Sequence, residues 1–299
     1  MSSDRHAYTT PALLQPLELL DALELCGSTS AAAVQLNLSQ PTVSRRHRAV
    51  AADLGLQRLR KPPRHQLRYA PNTCLSLLRR AYQWHRLQAG AWRLGVNPWQ
   101  RPLAAQLSRL RPVAAAHEHP LRWLHLLNAG VVDGALLSGL DLALLEPGWD
   151  GLGDQPVPWR EALLLPLVAL PLGLLLPPGS DGPSPWAPVW VPAEQRSPGL
   201  AAAVRQRQWR CLHAPLACRN GKDWGALLQE RPMPALVVEP MAELLLAQLE
   251  GWSWRPLADG ATDPQWLLTE PQLWPSDGQP EQLAEAWRQA LAANQSAGA

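Results

Sequence analysis

The stretch that decides the fold, from Cys26 to Gly55, reads CGSTSAAAVQLNLSQPTVSRRHRAVAADLG. The apolar helix before it is predicted to end at Gly27, because glycine readily adopts the left-handed turn that closes a helix. Ser28 is placed to cap a short second helix, whose alanines allow a close crossing with a neighbouring helix. Ser39 is placed to cap a third helix, with Pro41 in its first turn, where a missing N–H costs little. Three short helices joined by tight turns are therefore predicted.

The third helix is predicted to be amphipathic. Val43, Val50 and Leu54 fall on one side, which would face the interior of the domain. The other side carries polar and basic side chains: Gln40, Thr42, Ser44, Arg45 and Arg48. A helix fits the major groove of DNA, where each base pair presents its own pattern of hydrogen-bond donors and acceptors.

Positive charge is concentrated around this helix. Residues 1–95 contain 13 basic and 5 acidic residues, a net charge of +8, whereas the rest of the chain has a net charge of −6. Eight basic residues lie between Arg45 and Arg68, with Asp53 as the one acid among them. A solvated surface is the ordinary explanation for a basic run. Its coincidence with the helix pattern favours a polyanion as the partner.

A basic hairpin and a long helix are predicted to follow. The segment Leu56–Pro71 reads LQRLRKPPRHQLRYAP, in which two basic stretches flank a proline pair, and this is typical of a wing. Residues 73–91 then show side chains at a spacing of three and four: Leu75, Leu78, Tyr82, His85 and Ala89. This stripe indicates a contact face for a second helix and would suit dimerisation.

Residues 17–72 resemble the winged helix-turn-helix of LysR-type transcription regulators. The resemblance rests on Gly27-Ser28, the alanines Ala31–Ala33, Leu36, and the run LSQPTVS from Leu38 to Ser44. Residues 92–299 resemble, by pattern, the effector domain of the same family, which is built like a periplasmic solute-binding protein. The resemblance implies a regulator that reads DNA and responds to a small molecule.

The chain is predicted to be multidomain. An all-α winged helix-turn-helix occupies residues 12–72, and a long linker or dimerisation helix occupies residues 73–91. An α/β domain with two lobes, like a periplasmic binding protein, occupies residues 92–299. Short strands and helices alternate from Trp92 onward, as they do in largely parallel α/β sheets.

The two lobes are predicted to be discontinuous in sequence. One comprises about residues 92–166 together with 266–299, and the other about residues 167–265. Within them, we predict a buried strand at Asp141–Glu146 and a closing helix at Glu281–Ala292.

The helix-turn-helix and the wing supply the expected DNA contacts. Gln40 can pair with adenine, Arg45 with guanine, and Thr42 can touch a thymine methyl group. Serine hydroxyls can bond phosphates, and the basic wing suits phosphates or a minor groove. The full expected set is Ser28, Ser30, Ser39, Gln40, Pro41, Thr42, Ser44, Arg45, Arg48, Arg58, Arg60, Lys61 and Arg64. For Ser28 and Ser39, helix capping alone is the competing interpretation.

The resemblance places an effector between the two lobes, at strand ends and helix N-termini, where N–H groups favour anions. The expected residues are Asn97, Gln100, His117 and Glu118 on the first lobe, and Arg196 and Ser197 on the second. Arg196 would bind a carboxylate or phosphate, so a small anionic metabolite is expected. The competing interpretation is that Arg196 is a solvated loop residue.

Metal and catalytic chemistry are disfavoured. Cys211, His213 and Cys218 give three clustered ligands, whereas a closed zinc site needs four, so buried thiols are favoured over a metal or a disulfide switch. The run His117-Glu118-His119 has no nucleophile or phosphate-binding motif beside it. No catalytic residue, metal or cofactor is therefore expected.

A cytoplasmic location without a membrane span is expected. The uncharged segment 162–180 contains several prolines, which a membrane helix would hardly carry. The first ten residues lack the apolar core of a signal peptide. Four cysteines without an export signal are typical of reduced thiols.

We therefore expect a sequence-specific transcription regulator of LysR type, controlled by a small-molecule effector. It would bind double-stranded DNA as a homodimer or homotetramer, with RNA polymerase as a further candidate partner. Two alternatives stay open. One is a small-molecule-binding protein whose N-terminal helices serve only dimerisation, although a mere dimeriser has no use for the basic helix and wing. The other is a regulator with a vestigial sensor.

Overall fold

The computed structural model describes residues 8–60, 62–63, 66–105, 110–116, 118–146, 149, 155–273, 284–285 and 288–289. Its N-terminal part contains three helices: α1 (Gln15–Cys26), α2 (Thr29–Gln35) and α3 (Gln40–Asp53). The predicted turns between them are confirmed. Gly27 closes α1 with a φ of 71°, and the Ser28 and Ser39 side chains accept hydrogen bonds from the N–H groups of Ala31 and Thr42.

The three helices share a small core. Leu23 of α1, Ala32 and Ala33 of α2 and Val43 of α3 are buried against one another. The alanines permit the close crossing of α1 and α2, since a larger side chain would hold the two backbones apart. The outer side of α3 is thereby turned away from the protein.

The long helix α4 (Thr73–Gln88) follows, with its first turn capped by Asn72, whose Oδ1 accepts from Leu75 N at 2.8 Å. The predicted helix is confirmed, but two members of its predicted contact face, Leu75 and Tyr82, are buried within the chain, whereas Leu78 is exposed. Leu75 and Tyr82 face inward and pack against α1. The outward apolar residues are Leu77, Leu78 and Trp84, which are 67%, 36% and 39% exposed.

The rest of the chain alternates strands and helices, as predicted. The strands are β1 (Trp92–Gly95), β2 (Leu110–Val113), β3 (Gly134–Ser138), β4 (Val157–Trp159), β5 (Ala162–Leu176), β6 (Pro188–Val191), β7 (Arg210–His213), β8 (Ala235–Val238), β9 (Ser253–Pro256) and β10 (Thr262–Thr269). The helices are α5 (Arg101–Ala105), α6 (Pro120–Asn128), α7 (Gly139–Leu145), α8 (Pro198–Gln206), α9 (Gly221–Glu230) and α10 (Glu239–Leu246). In the part of the chain described, no helix has the length and apolar character needed to cross a membrane.

The strand β5 joins two lobes. The strands form the order β2-β1-β3-β10-β5-β8-β6-β7, and β4 and β9 also pair with β5. The first part of β5 pairs with β10 as far as Pro171, and from Leu172 onward β5 pairs with β8 instead. The first lobe is therefore built on β1, β2, β3 and β10, and the second on β6, β7 and β8. The lobe boundaries stated from the sequence remain predictions.

One sequence expectation is corrected. The segment Asp141–Glu146 is not a strand, because the Ser138 hydroxyl accepts from Asp141 N and begins α7, while the strand is β3 just before it. A short apolar run fits a buried strand or a buried helix equally well by periodicity.

The predicted wing hairpin shows a single antiparallel bridge, Arg58 to Tyr69, in its described residues. The predicted helix Glu281–Ala292 falls largely outside the described residues.

Candidate DNA-reading helix and inter-lobe cleft

The first turn of α3 is fixed by its serine cap. Ser39 Oγ accepts a hydrogen bond from Thr42 N at 3.4 Å and lies 2.8 Å from Thr42 Oγ1. Pro41 stands at the start of the helix, where its missing N–H leaves nothing unsatisfied. Val43 is fully buried, which orients the opposite side of the helix outward.

The outward side of α3 is polar and cationic. Gln40, Arg45 and Arg48 are exposed, and Thr42 and Ser44 are half-buried between them. Arg48 Nε donates to the carbonyl O of Ser44 at 3.4 Å. The predicted reading residues of α3 therefore lie on one continuous surface.

Gln40 is tied to the neighbouring helix. Its Nε2 donates to Thr29 Oγ1 of α2 at 3.1 Å. A bidentate contact to adenine uses both the amide oxygen and the amide nitrogen. Gln40 must therefore exchange its bond to Thr29 before it can read a base in this way.

The other expected DNA contacts lie around the same surface. The exposed ones are Ser28, Ser30, Ser39, Pro41, Arg58 and Arg60. Lys61 and Arg64 lie outside the described residues. These contacts remain predictions.

Arg68 of the basic run and His47, which lies within the same stretch, hold the domain together. His47 Nε2 is hydrogen-bonded to the Tyr69 hydroxyl, and burial together with nearby arginines lowers the pKa of His47. Arg68 Nη2 donates to the carbonyl O atoms of Leu23 and Gly27 at 3.2 and 2.9 Å. Counting charges along the sequence could not separate these internal residues from those that face outward.

The residues expected to bind an effector are buried, and two of them, Glu118 and Arg196, meet across the lobes. The exposed fraction is 4% for Asn97 and 2% for each of Gln100, Glu118, Arg196 and Ser197. His117 lies outside the described residues. The cleft is therefore closed around these side chains.

The buried pair Glu118–Arg196 crosses the cleft. Arg196 Nη1 donates to Glu118 Oε2 at 3.1 Å, and Arg196 Nη2 donates to the carbonyl O of Leu216 at 3.0 Å. Burial raises the pKa of Glu118 to about 7 against the opposing effect of Arg196. Glu118 Oε1 and Arg196 Nε are buried and find no partner among the described residues. The protein's own carboxylate thus takes the place that a ligand anion was expected to take.

A second internal carboxylate reaches the N-terminus of α8. Asp141 of α7 accepts a hydrogen bond from Gly199 N at 2.7 Å. A Cβ at position 199 would lie 2.6 Å from the carbonyl carbon of Leu140, so glycine allows the two helix ends to meet. Burial, reinforced by the neighbouring Asp263, raises the pKa of Asp141 to about 8. Sequence reasoning missed Asp141 because it assigned this segment to a strand.

Two further contacts lie at the start of α5, one within the first lobe and one to the second lobe. Gln100 Nε2 donates to Gln265 Oε1 at 2.7 Å. The Trp99 ring meets the Trp224 ring of α9 edge-on, with centroids 4.7 Å apart. An aromatic pair therefore fills the space between the start of α5 and the second lobe.

Cys211 and His119 make hydrogen bonds within the protein. Cys211 and Cys218 carry free thiols, and Cys211 Sγ donates to the carbonyl O of Ala201 at 3.2 Å. His119 Nδ1 accepts from Leu121 N at 3.3 Å at the start of α6. Among the described residues, no group of three or more His, Cys, Asp and Glu side chains is arranged to hold a metal ion.

The helical N-terminal segment matches a known family. The family model described as bacterial regulatory helix-turn-helix protein, lysR family, matches residues 14–67. These residues form a lysR-family helix-turn-helix. The match covers α1 to α3 and continues into the wing, and the sequence resemblance at this segment is confirmed.

Similar solved structures span most of the chain. A full-length OxyR point mutant from Pseudomonas aeruginosa is 17% identical, with 95% of this chain and 96% of that chain covered and a TM-score of 0.48. An OxyR cysteine mutant from Corynebacterium glutamicum is also 17% identical, with 98% and 96% covered and a TM-score of 0.49. Full-length CbnR in complex with its target DNA is 14% identical, with 93% and 99% covered and a TM-score of 0.48. No curated protein matches the chain.

The lysR-family helix-turn-helix packs directly on the first lobe. Arg122 of α6 pairs with Glu24 of α1 at 3.1 Å and also donates to the carbonyl O of Glu24 at 2.6 Å. Ala116 N donates to the carbonyl O of Leu25 at 2.7 Å. Asp21 of α1 forms salt bridges with Arg79 of α4 at 2.9 Å and with Arg93 of β1 at 2.8 Å. We call this contact region the head–lobe junction.

Proposed function

We propose that the chain is a sequence-specific DNA-binding transcription regulator whose helix α3 reads the major groove. The observation that carries this proposal is the outward surface of α3 within the lysR-family segment. That surface presents Gln40, Arg45 and Arg48, while Val43 anchors the helix from the other side. Arginine and glutamine are the side chains that pair bidentately with guanine and adenine.

We propose a second copy of the chain as the partner of α4. Its outward stripe of Leu77, Leu78 and Trp84 leaves apolar area in water, which pairing with the same helix of a second copy would bury. Two reading heads would then contact two half-sites, as in other helix-turn-helix dimers. A chain with a helix pair for dimerisation alone would not need the cationic surface of α3.

We propose that a small molecule controls the regulator through the inter-lobe cleft. The pair Glu118–Arg196 and the contact of Asp141 with α8 hold the lobes together in the closed arrangement. An effector that binds the two arrangements of the lobes differently would shift their populations. An anionic effector would compete with Glu118 for Arg196.

Selection of DNA fragments from a genomic pool by the full-length chain tests the proposed function. Arg45→Ala should lower the affinity for the selected fragment by about 1–3 kcal/mol if Arg45 reads a base. Glu194→Ala, an exposed change in the second lobe, is the control and should retain wild-type affinity. An equal loss on every sequence would make Arg45 a phosphate contact, and failure to enrich any fragment would contradict the proposal.

The closed cleft should be most stable at low pH. The raised pKa of Asp141, about 8, means that the closed form holds a proton that an exposed aspartate would release. The contribution of Asp141 to the stability of the folded protein is therefore present at acid pH and is lost as the pH rises from about 4 to about 8. Asp141→Asn keeps an acceptor for Gly199 N without the charge. Its stability relative to the wild type should grow by up to about 1.4 kcal/mol per pH unit over this range.

Denaturant unfolding of both proteins between pH 5 and about 8.5 measures this effect. Glu118, whose pKa is also raised by burial, titrates in both proteins and so cancels in the comparison, whereas Asp263 is coupled to Asp141 and contributes to the measured difference. Parallel pH profiles for the wild type and Asp141→Asn would show that the pKa of Asp141 is not raised in the folded protein.

A further inference from the structure

A cavity lies at the head–lobe junction, apart from the inter-lobe cleft. It has a volume of about 310 Å³ and is bounded by α1, the wing, α4 and α6. Its walls include Leu67, Tyr69, Leu75 and Ala129, with Glu24 and Arg79 as charged members. A volume of this size lies at the lower end of the range of small-molecule sites, which are largely apolar with a few placed polar groups.

The buried charges of the junction do not balance. Besides the pair of Arg80 with Glu270, the described ion pairs of the junction join four arginines to three buried carboxylates: Arg79, Arg86, Arg93, Arg122, Asp21, Glu24 and Asp133. Asp133 pairs with Arg86 at 2.8 Å, and Glu24 pairs with Arg122 at 3.1 Å. Two arginines are left to share Asp21. The described part of the junction therefore carries one positive charge without a carboxylate of its own.

The excess charge falls on Arg79. Arg93 has further acceptors, since its guanidinium also donates to the Tyr82 hydroxyl at 2.8 Å and to the carbonyl O of Val131 at 3.4 Å. Arg79 Nε reaches Asp21 at 2.9 Å, but Arg79 Nη2 is buried without a hydrogen-bond partner in the described part of the chain. A buried cationic donor left unpaired is costly. Arg79 lines the cavity, where a bound acceptor could complete its hydrogen bonds.

Glu24, the other charged residue of the cavity, does not offset the unpaired charge of Arg79. Its carboxylate accepts two contacts from Arg68 N, at 3.0 and 3.1 Å, as well as the charge of Arg122. Its negative charge is therefore compensated from within the junction. The cavity offers a ligand one uncompensated cationic group and mainly apolar walls.

We propose that the head–lobe junction cavity binds a small organic monocarboxylate with an apolar body. The carboxylate would pair with the guanidinium group of Arg79, and the body would pack against Leu67, Leu75 and Ala129. A multiply charged phosphate suits the site less well, because a single unmatched cation faces the cavity. Residues of both the reading head and the first lobe line it, so a bound acid stabilises their packing.

Phenylacetate is a suitable probe, with phenylacetamide as its neutral counterpart of the same shape. Calorimetry on the full-length chain should show phenylacetate binding at least about tenfold more tightly than phenylacetamide, because a charge-assisted bond to Arg79 is lost in the amide. Equal affinities, or no binding of phenylacetate at millimolar concentration, would overturn the proposal.

Variants locate the site. Arg79→Gln should weaken phenylacetate binding by about tenfold or more. Ala129→Leu fills the cavity without touching any ion pair and should abolish binding even if Arg79→Gln fails to fold. Arg80→Gln, whose partner is Glu270 outside the cavity, should bind like the wild type. Phenylacetate affinity unchanged in Ala129→Leu would place the probe elsewhere and contradict the site.

The effect of such an acid on DNA affinity rests on the proposed function, whereas its binding does not. DNA binding is measured on the same preparation without the probe. A chain that selects DNA but ignores phenylacetate refutes the cavity alone. A chain that binds phenylacetate through Arg79 but selects no DNA refutes the regulator alone.

Discussion

Asp21→Ala is expected to lower the free energy of unfolding by about 3–5 kcal/mol, as found when one partner of a buried ion pair is removed. Asp21 is 1% exposed and holds Arg79 and Arg93, which are buried with it. Without Asp21, Arg79 and Arg93 lose the carboxylate that their guanidinium groups share. Because Asp21 joins α1, α4 and β1, the loss should loosen the reading head from the first lobe.

Denaturant unfolding followed by fluorescence measures the change. The matched control is Glu194→Ala, whose partner Arg205 is 51% exposed in its side chain, and a change of less than about 1 kcal/mol is expected there. Equal effects of the two substitutions would show that the head–lobe junction does not hold its charges away from water.

Leu77→Glu combined with Trp84→Glu is expected to separate the proposed dimer and to weaken binding to an operator with two half-sites by about 10²–10⁴-fold. Both side chains are exposed on the outward side of α4, Leu77 to 67% and Trp84 to 39%. The glutamates on the two copies would repel each other, and the apolar contact between the paired helices would be lost. Each head would then bind its half-site alone.

Sedimentation and DNA titration on the same samples measure the two effects together. Leu144→Glu on α7 replaces a leucine of similar exposure, 49%, away from α4 and should change neither. Tyr82, which the sequence placed on the contact face, is fully buried, and its replacement would unfold the chain rather than separate it. Tight operator binding by a wild-type monomer would contradict the dimer.

Local signals made the N-terminal helices predictable. Gly27, Ser28 and Ser39 act on residues within one turn, so the sequence alone places α1, α2 and α3 and their caps. The same local signals misplaced α7, because the cap at Ser138 was not recognised and the apolar run after it fits either structure. On α4 two stripes share the spacing of three and four, and only the packing of α1 decides which one is buried.

The sequence predicted where the inter-lobe site lies but not how its side chains pair. Resemblance put Glu118 and Arg196 near each other, but their pairing joins residues 78 positions apart and depends on how the lobes close. Asp141, which completes the closed arrangement, has no signal beyond a leucine-rich run. The unequal charges of the head–lobe junction likewise appear only when α1, α4, α6 and β1 are brought together.

The affinity of the full-length chain for its selected fragment and for a shuffled fragment of equal length, measured over a range of salt concentrations, tests the central claim most directly. A regulator that reads bases with α3 should bind the selected fragment about 10³-fold or more tightly than the shuffled one. Both affinities should fall with the logarithm of the salt concentration, since the cationic surface neutralises phosphates. Equal affinity for the two fragments at every salt concentration would contradict sequence reading by α3.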